Sequence, residues 1–269
     1  MLKDFDLIRR TFPKADTMDI YPIADVHLGA IEHCEAEWQN FLKSVEQSNA
    51  YLILAGDLLN NNTRSVKFAN PFDEALRPME AKIRMVEYLE PLKDRILCLT
   101  SGNHEARTKK DSDQDLTYDI ACKLGIEEVY RENVCFMAVS LGTKNKGKNT
   151  DGYRNTYTFV VTHGNFGGAL TGGMVNSNER FGGLVEGLDV LVTAHAHRGA
   201  VTKPQKIVID PRNGLVCMKH YVAVSCVSWL NYGGYAARKM LPPSQVCDPQ
   251  MIHLDYGRHD WSKRIVTTW

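Results

Sequence analysis

The sequence of 269 residues has no net charge, because 32 basic side chains balance 32 acidic ones. This balance excludes a global electrostatic attraction to nucleic acid or to an anionic membrane. It leaves open a local basic patch, or positive charge supplied by a bound metal. Hydrophobic residues make up 43% of the chain and charged residues 24%, which is typical of folded globular proteins and excludes extensive disorder.

Long hydrophobic runs and paired cysteines are also missing. No apolar run approaches the roughly 18–20 residues of a membrane span, and residues 1–10 are charged, unlike a signal peptide. We therefore expect a cytoplasmic protein with no membrane partner. The seven cysteines are odd in number and include no C-x-x-C pair, which excludes a disulfide framework and a zinc ribbon. Five lie among apolar residues and are predicted to be reduced core thiols: Cys98, Cys122, Cys135, Cys217 and Cys226.

The first half of the sequence alternates short apolar runs with amphipathic stretches. Three segments have the apolar pattern of strands: 18–24, 51–55 and 95–100. Three others repeat apolar residues every three or four positions, as helices do: 38–45, 79–89 and 116–124. Asp115 is a suitable N-cap for the last of these helices, and Gly125 a suitable stop.

The second half is richer in predicted strands, at 134–141, 157–162, 190–193, 206–210, 215–227, 251–256 and 264–268. One more helix is predicted from the apolar stripe Phe181, Leu184, Val185 and Leu188. The glycine-rich residues 164–178 before it are predicted to be a loop, either plain or adjacent to substrate. The pattern predicts an α/β protein with two packed sheets and helices outside. Because no repeat or linker interrupts the chain, we expect a single domain over residues 1–269.

Polar residues capable of binding a metal follow five of the predicted strands. They are Asp25 and His27, then Asp57, then Asn103 to Glu105, then His163, and finally His195 and His197. The carboxyl ends of strands in α/β sheets are where ligands bind. Taken singly, each cluster is more typical of a turn, a cap or a surface loop. All five together, each at a strand end, predict a metal centre.

The residue types indicate which metals. Carboxylate, imidazole and carboxamide groups together suit Mn²⁺, Fe²⁺ or Zn²⁺. A pair one residue apart, such as Asp25 and His27, places both side chains on one side of an extended segment. Asp57 can bridge two ions. Two ions can bind a phosphoryl oxygen and hold a bridging hydroxide for in-line attack.

The ordered motifs D-x-H, G-D-x-x, G-N-H-[DE], H and H-x-H, from Asp25 to His197, resemble the calcineurin-like metallophosphoesterase superfamily. The resemblance implies an α/β fold, a four-layer αββα sandwich of two mixed β-sheets flanked by helices. It implies a first metal site formed by Asp25, His27, Asp57 and His197, and a second formed by Asp57, Asn103, His163 and His195. His104 would be catalytic without binding metal, protonating the leaving oxygen, and Glu105 would orient it.

Two positions depart from the family pattern. Ala194 stands where the family usually has glycine, which costs little unless the backbone there has a positive φ. Glu105 replaces the commoner Asp and lengthens its reach toward His104. Neither change removes a metal ligand, so we expect an active enzyme with two divalent ions, Mn²⁺ foremost.

The substrate is indicated only in part. The opening D-x-H-L-G at residues 25–29 resembles the DNA-repair exonuclease branch, whereas the compact length resembles stand-alone phage and bacterial phosphoesterases. The resemblance favours a phosphodiesterase acting on nucleic acid or a nucleotide, by attack of a metal-bridging hydroxide. A phosphomonoesterase, including a protein phosphatase, and a non-catalytic scaffold remain alternatives, and a homo-oligomer is left open.

Several other residues are candidates for substrate contact. Arg107 follows the G-N-H-E motif closely and can bind a phosphate bidentately. Lys144, Lys146 and Lys148 form a basic loop that is also consistent with a solvated surface. Trp229, Tyr232 and Tyr235 can stack on a base, or serve as core or dimer-contact aromatics. The remaining histidines match no motif and are predicted to be structural: His33, His220, His253 and His259.

Overall fold

The computed structural model describes residues 3–64, 72, 74–142, 155–165, 170–255 and 264–269. Within these ranges the strands are β1 Ile8–Phe12, β2 Thr17–Ile23, β3 Tyr51–Ala55, β4 Ile96–Thr100, β5 Tyr130–Arg131, β6 Val134–Leu141, β7 Asn155–Thr162, β8 Val190–Thr193, β9 Ala200–Thr202, β10 Gln205–Asp210, β11 Leu215–His220, β12 Val222–Ser225, β13 Met251–Asp255 and β14 Arg264–Thr268. The α-helices are α1 Glu35–Ser48, α2 Pro78–Leu89, α3 Glu105–Ser112, α4 Leu116–Leu124, α5 Thr171–Leu184 and α6 Gly234–Arg238. Short 3₁₀ helices occupy Lys3–Phe5, Glu90–Arg95 and Glu127–Val129.

The strands form two large mixed sheets. Sheet I has the order β1-β6-β7-β8-β12-β9, and sheet II has the order β14-β13-β2-β3-β4-β5. In sheet II, β2, β3 and β4 are parallel neighbours, and in sheet I, β7 and β8 are parallel neighbours. Helix α4 contacts β4 of sheet II, and α5 contacts β8, β9 and β12 of sheet I. The predicted sandwich of two mixed sheets flanked by helices is confirmed.

One large hydrophobic cluster combines residues of both sheets and of α1, α2 and α4. The side chains of β3 and β4 are almost entirely apolar and buried, as expected of parallel strands covered on both faces. Helix α1 contributes Trp38, Leu42 and Val45 to this cluster, the face that its apolar spacing predicts. This core holds the carboxyl ends of the parallel strands in place.

Several predicted boundaries are confirmed. Strands β3, β8 and β14 coincide with the predicted runs. Helix α4 begins and ends as its capping residues predict: Asp115 Oδ1 accepts the Tyr118 N–H at 3.0 Å, and Gly125 stops the helix in a left-handed conformation.

The prediction for α5 is wrong. The helix spans Thr171–Leu184 and therefore covers most of the stretch predicted to be a loop, while Leu184 of the predicted apolar stripe is 80% exposed. The buried face consists of Met174, Asn178 and Gly182. A Cβ at Gly182 would lie within 2.5 Å of the Tyr221 ring, so a small residue allows the helix to approach the sheet. The spacing of large apolar residues cannot reveal a helix that packs through small ones.

Three further predictions need correction. The run 215–227 is two strands, β11 and β12, and β10 pairs with β11 in a hairpin separate from both large sheets. Helix α2 buries Ala81, Met85 and Leu89, whereas Met79 of the predicted stripe is exposed. Cys98, Cys135 and Cys226 are buried as predicted, but Cys122 and Cys217 are exposed.

Among the described residues, no helix is long and apolar enough to cross a membrane.

Candidate metal centre and active site

The polar clusters lie where five strands end. Three follow parallel neighbours of sheet II: Asp25 and His27 after β2, Asp57 after β3, and Asn103 after β4. Two follow parallel neighbours of sheet I: His163 after β7, and His195 and His197 after β8. All seven predicted ligands therefore follow parallel strands, and the contacts described below bring them together at one site.

Five of these residues have a left-handed backbone conformation, with φ values of 51° at Asp25, 49° at His27, 50° at Asp57, 69° at His195 and 54° at His197. The D-x-H and H-x-H pairs therefore do not share one side of an extended segment, as the sequence had suggested. Each pair faces the site because both of its members turn through the left-handed region. Asp and His enter this region more readily than most residues, and such strain concentrates at functional sites.

The carboxylate of Asp25 is held by one oxygen and leaves the other facing the histidines. Oδ2 accepts the His195 N–H at 3.0 Å. Oδ1 is buried and has no hydrogen-bond partner within the described residues, yet it lies 3.5 Å from His197 Nε2 and 3.9 Å from His27 Nε2. The two imidazole Nε2 atoms are themselves 3.2 Å apart. Among the described residues, Asp25 Oδ1 thus lies beside two imidazole nitrogens without the hydrogen bond that a buried carboxylate oxygen normally accepts.

Asp57 repeats this arrangement on the other side. Its Oδ1 accepts the His104 N–H at 2.8 Å, and its Oδ2 lies 3.2 Å from His163 Nε2 and 3.8 Å from His27 Nε2. The same carboxylate therefore faces both groups of histidines, as a bridging ligand must.

The third group contains His163, His195 and Asn103. His163 Nδ1 lies 2.8 Å from the Ala55 carbonyl oxygen, so Nδ1 donates and Nε2 faces the site. Asn103 Oδ1 lies 3.0 Å from His163 Nε2 and 2.8 Å from His195 Nδ1. An imidazole fixed by a backbone carbonyl in this way is typical of metal-binding histidines.

These contacts give three overlapping groups whose ligand atoms lie within 4.8 Å of one another: Asp25, His27 and His197; His27, Asp57 and His104; and Asp57, His163 and His195. The first and third correspond to the two predicted sites. Together with Asp25 Oδ1, which has no hydrogen-bond partner among the described residues, this donor set fits a dinuclear centre of divalent cations.

The pKa values of the clustered side chains are shifted by burial and by their charged neighbours. Burial raises the pKa of Asp25 to about 8, with His163 opposing the shift and the charge of Asp57 adding to it. Burial lowers the pKa of His27. At His163 burial is outweighed by the Asp57 carboxylate, which raises the pKa to about 10. Bound cations would reverse the shifts of Asp25 and His163, because they favour ionised carboxylates and neutral imidazoles.

His104 lies beside this cluster but has different partners. Its Nδ1 is 2.5 Å from the Asn60 carbonyl oxygen, and its Nε2 is 2.8 Å from Arg107 Nη2. Arg107 Nη1 also donates to Asn62 Oδ1 at 3.0 Å. A guanidinium cation next to Nε2 disfavours a metal ion on the same atom. The position of His104 is therefore consistent with contact to substrate instead of metal.

The role predicted for Glu105 needs correction. Its carboxylate is buried and accepts three backbone N–H groups, from Asp57 at 3.1 Å, Leu59 at 2.8 Å and Gly102 at 3.0 Å. It therefore joins the loops after β3 and β4 and does not contact the His104 ring, which the Asn60 carbonyl orients instead. Asn60 was missed from the sequence, where the run Asn60 to Asn62 after the G-D motif was the available signal.

The family model of the calcineurin-like phosphoesterases matches residues 18–199, more than half of the chain and the whole of the cluster. The chain belongs to the calcineurin-like phosphoesterase family. Comparison with curated proteins gives no match. The family and the Asp/His cluster together support a metal-dependent phosphoesterase with a dinuclear site.

The structure explains why one departure of this phosphoesterase from the family pattern causes no backbone strain. Ala194, in place of the usual glycine, does not take a positive φ, and the left-handed conformation falls on His195 after it. Alanine is therefore unstrained at this position, and its buried methyl group packs in the core.

A pocket of about 780 Å³ opens onto the metal centre of the phosphoesterase. One wall contains His27, Asp57, Asn103, His104, Arg107, His195 and His197. The rest of the lining includes residues of the segment 228–246, which we call the cover segment, among them Tyr232, Tyr235 and Arg238. The volume lies within the range of pockets that enclose small molecules.

The other predicted residues have different outcomes. Trp229 is fully buried against Trp38, with ring centroids 5.0 Å apart, so it is a core aromatic. His33 is buried and contacts the Val26 carbonyl, whereas His253 pairs with Asp19, so both are structural. His220 lies on the exposed hairpin β10–β11. Lys144, Lys146, Lys148 and His259 lie outside the described residues.

Proposed function

We propose that this phosphoesterase is a phosphodiesterase that hydrolyses nucleotide or nucleic-acid diesters with two divalent cations. The observation that carries the proposal is that one pocket joins the dinuclear donor set to a wall bearing exposed tyrosines and arginine. A phosphodiester has an organic group on each side of the phosphorus, and a pocket continuing past the metal centre leaves space for the second group.

The contacts support an assignment of metal ligands. We assign Asp25, His27, Asp57 and His197 to one cation, and Asp57, Asn103, His163 and His195 to the other, with Asp57 shared. When bound, two divalent cations supply charge neutralisation of the phosphate and activation of a water nucleophile. The N/O donor set favours Mn²⁺, with Fe²⁺ or Zn²⁺ as alternatives.

Two side chains of this chain would act on the phosphate itself. His104 Nε2 lies 3.9 Å from Asp57 Oδ2 at the edge of the cluster, in a position to protonate the leaving oxygen once it carries a proton. Arg107 lines the pocket next to His104 and would bind the two non-bridging phosphate oxygens, because a guanidinium can donate two parallel hydrogen bonds, one to each oxygen.

There are two alternatives to this proposal, one catalytic and one non-catalytic. A phosphomonoesterase, including a protein phosphatase, would use the same cations and the same His104, but would not need the wall beyond the phosphate. A non-catalytic scaffold would have no reason to keep every ligand of both sites. A cytoplasmic location stays a prediction, and the oligomeric state stays open.

The test compares a diester with a monoester that has the same leaving group. Purified protein is stripped of metal, reloaded with Mn²⁺, Fe²⁺ or Zn²⁺, and assayed on bis-p-nitrophenyl phosphate and p-nitrophenyl phosphate. We expect turnover of the diester to exceed that of the monoester, to vanish on chelation and to return with metal. Robust monoester turnover without diester turnover would contradict the diesterase proposal. Full activity of the stripped protein would contradict the metal-dependent mechanism.

A further inference from the structure

We propose that the cover segment forms a nucleobase subsite, in which Tyr232 and Tyr235 stack on the base of a nucleoside ester whose phosphate lies at the metal centre. This inference rests on the proposed phosphoesterase activity and specifies its substrate class. It places a single nucleoside unit, rather than a peptide side chain, in the half of the pocket away from the metals.

The cover segment is tied directly to the metal-binding loops. The Trp229 N–H donates to the Asp25 carbonyl at 3.0 Å at the start of the segment. Near its end, Ser244 Oγ donates to the His197 carbonyl at 2.9 Å. The segment therefore has a defined position relative to two ligands of the same predicted cation, as a substrate subsite requires.

Two more contacts hold the middle of the segment. The Asn231 N–H donates to the Glu32 carbonyl at 2.9 Å, and Arg198 Nη2 donates to the Pro242 carbonyl at 2.6 Å. Gly234, between the two tyrosines, has φ +43° and packs against the Glu32 carboxylate where a Cβ would collide. The backbone bearing the tyrosines is thus anchored on both sides.

The side chains of Tyr232 and Tyr235 lie outside the hydrophobic core of the described structure. Tyr232 is 53% exposed and Tyr235 is 55% exposed, and both line the pocket. Within the described parts of the chain, neither side chain has a hydrogen bond or a ring contact, in contrast to Trp229, which packs on Trp38. Exposed aromatic rings facing a pocket are the groups on which bases stack, because every base has a π-face.

The surrounding wall suits a base as well. Leu230, Leu241 and Val246 give the far side of the pocket an apolar surface, and Arg238 adds a positive charge beside it. An apolar wall with a few polar or charged groups is typical of pockets that bind an organic ligand in one orientation.

The experiment uses two diesters with the same leaving group: thymidine 5′-(p-nitrophenyl phosphate) and methyl p-nitrophenyl phosphate. In Mn²⁺-loaded Tyr232→Ala and Tyr235→Ala variants we expect KM for the thymidine ester to rise by about tenfold to a hundredfold, the range of one lost stacking contact. The kinetic constants for the methyl ester should stay within about twofold. Tyr232→Phe should retain wild-type KM, because stacking does not need the hydroxyl.

Tyr118→Ala is the matched control, because Tyr118 is also surface-exposed but lies on α4, outside the pocket wall. Equal losses on both esters, or unchanged KM for the thymidine ester in both alanine variants, would overturn the subsite.

A calorimetric titration keeps this outcome separate from failure of the diesterase proposal. Thymidine 5′-monophosphate should bind the Mn²⁺-loaded wild type about tenfold more tightly than inorganic phosphate, and Tyr232→Ala and Tyr235→Ala should lose this advantage. An inactive diesterase that still shows the advantage supports the subsite and contradicts only the reaction. Equal affinity for the two ligands contradicts the subsite, whatever the activity.

Discussion

A single methyl group at Gly102 should disable the metal centre. A Cβ added at Gly102 would lie 2.8 Å from Asp57 Cγ, and nearer still to the Oδ1 and backbone nitrogen of that residue. Gly56 packs against the backbone of Gly102, and a Cβ added at Gly56 would collide with it. The loops after β3 and β4 therefore touch through two glycines, and Asp57, the shared ligand, is the group that a methyl at Gly102 would push.

The magnitude follows from the overlap. Carbon atoms in contact normally stand about 3.5–4.0 Å apart, so relief requires a displacement of about 1 Å. Displacements of that size in a catalytic site cost about a hundredfold in rate. Overpacking a tight interior costs about 1–3 kcal/mol of stability, so we also expect the melting temperature of Gly102→Ala to fall by several degrees.

The assay measures bound metal by elemental analysis, diester turnover and thermal unfolding on the same preparations. The matched control is Gly172→Ala in α5, where an added Cβ has no atom within 4 Å. This control should keep full activity and gain about 0.5–1 kcal/mol, because alanine is the better helix former. Gly102→Ala with wild-type metal content and wild-type turnover would refute the packing argument, because Asp57 would then tolerate the added methyl.

Two further substitutions test individual roles. His104→Ala should retain both metals and lose about 10²–10⁴-fold in kcat on the diester, because it removes the predicted acid and no ligand; loss of metal instead would make His104 a ligand. Glu105→Gln replaces a carboxylate that accepts three backbone N–H groups with an amide whose NH₂ group cannot accept. We expect the free energy of unfolding to fall by about 1–3 kcal/mol and metal binding to weaken. An unchanged unfolding midpoint would show that these bonds contribute nothing net. Glu80→Gln is the comparison, because this exposed carboxylate accepts one backbone N–H, from Arg77 at the start of α2.

The clustering of the predicted metal ligands could be expected from the sequence, because each of them follows a predicted strand. Each of Asp25, Asp57 and His163 follows an apolar run, and parallel strands place their carboxyl ends at one edge whatever the side-chain details. The fold class followed from the same alternation of runs and stripes. The assignment of individual ligands to individual cations stays a prediction.

What could not be predicted depends on contacts between distant segments. Two of the three backbone partners of Glu105 are 46 and 48 residues away, which no local pattern encodes. The part of α5 before the predicted stripe was missed because the buried face of the helix includes Asn178 and Gly182, and a search for large apolar residues ignores both. The subsite tyrosines were recognised as aromatics, but only the tertiary structure separates Tyr232 and Tyr235 from the buried Trp229.

The left-handed ligands also bear on how the molecule acquires its shape. Each such residue costs on the order of 1–3 kcal/mol, so the five together cost about as much as the whole net stability of a typical domain. Such conformations persist only when a finished scaffold imposes them. We therefore expect the two sheets to assemble before the ligand loops close, so that the site forms late in folding. Without cations, we expect these loops to open more readily than the strands that they follow.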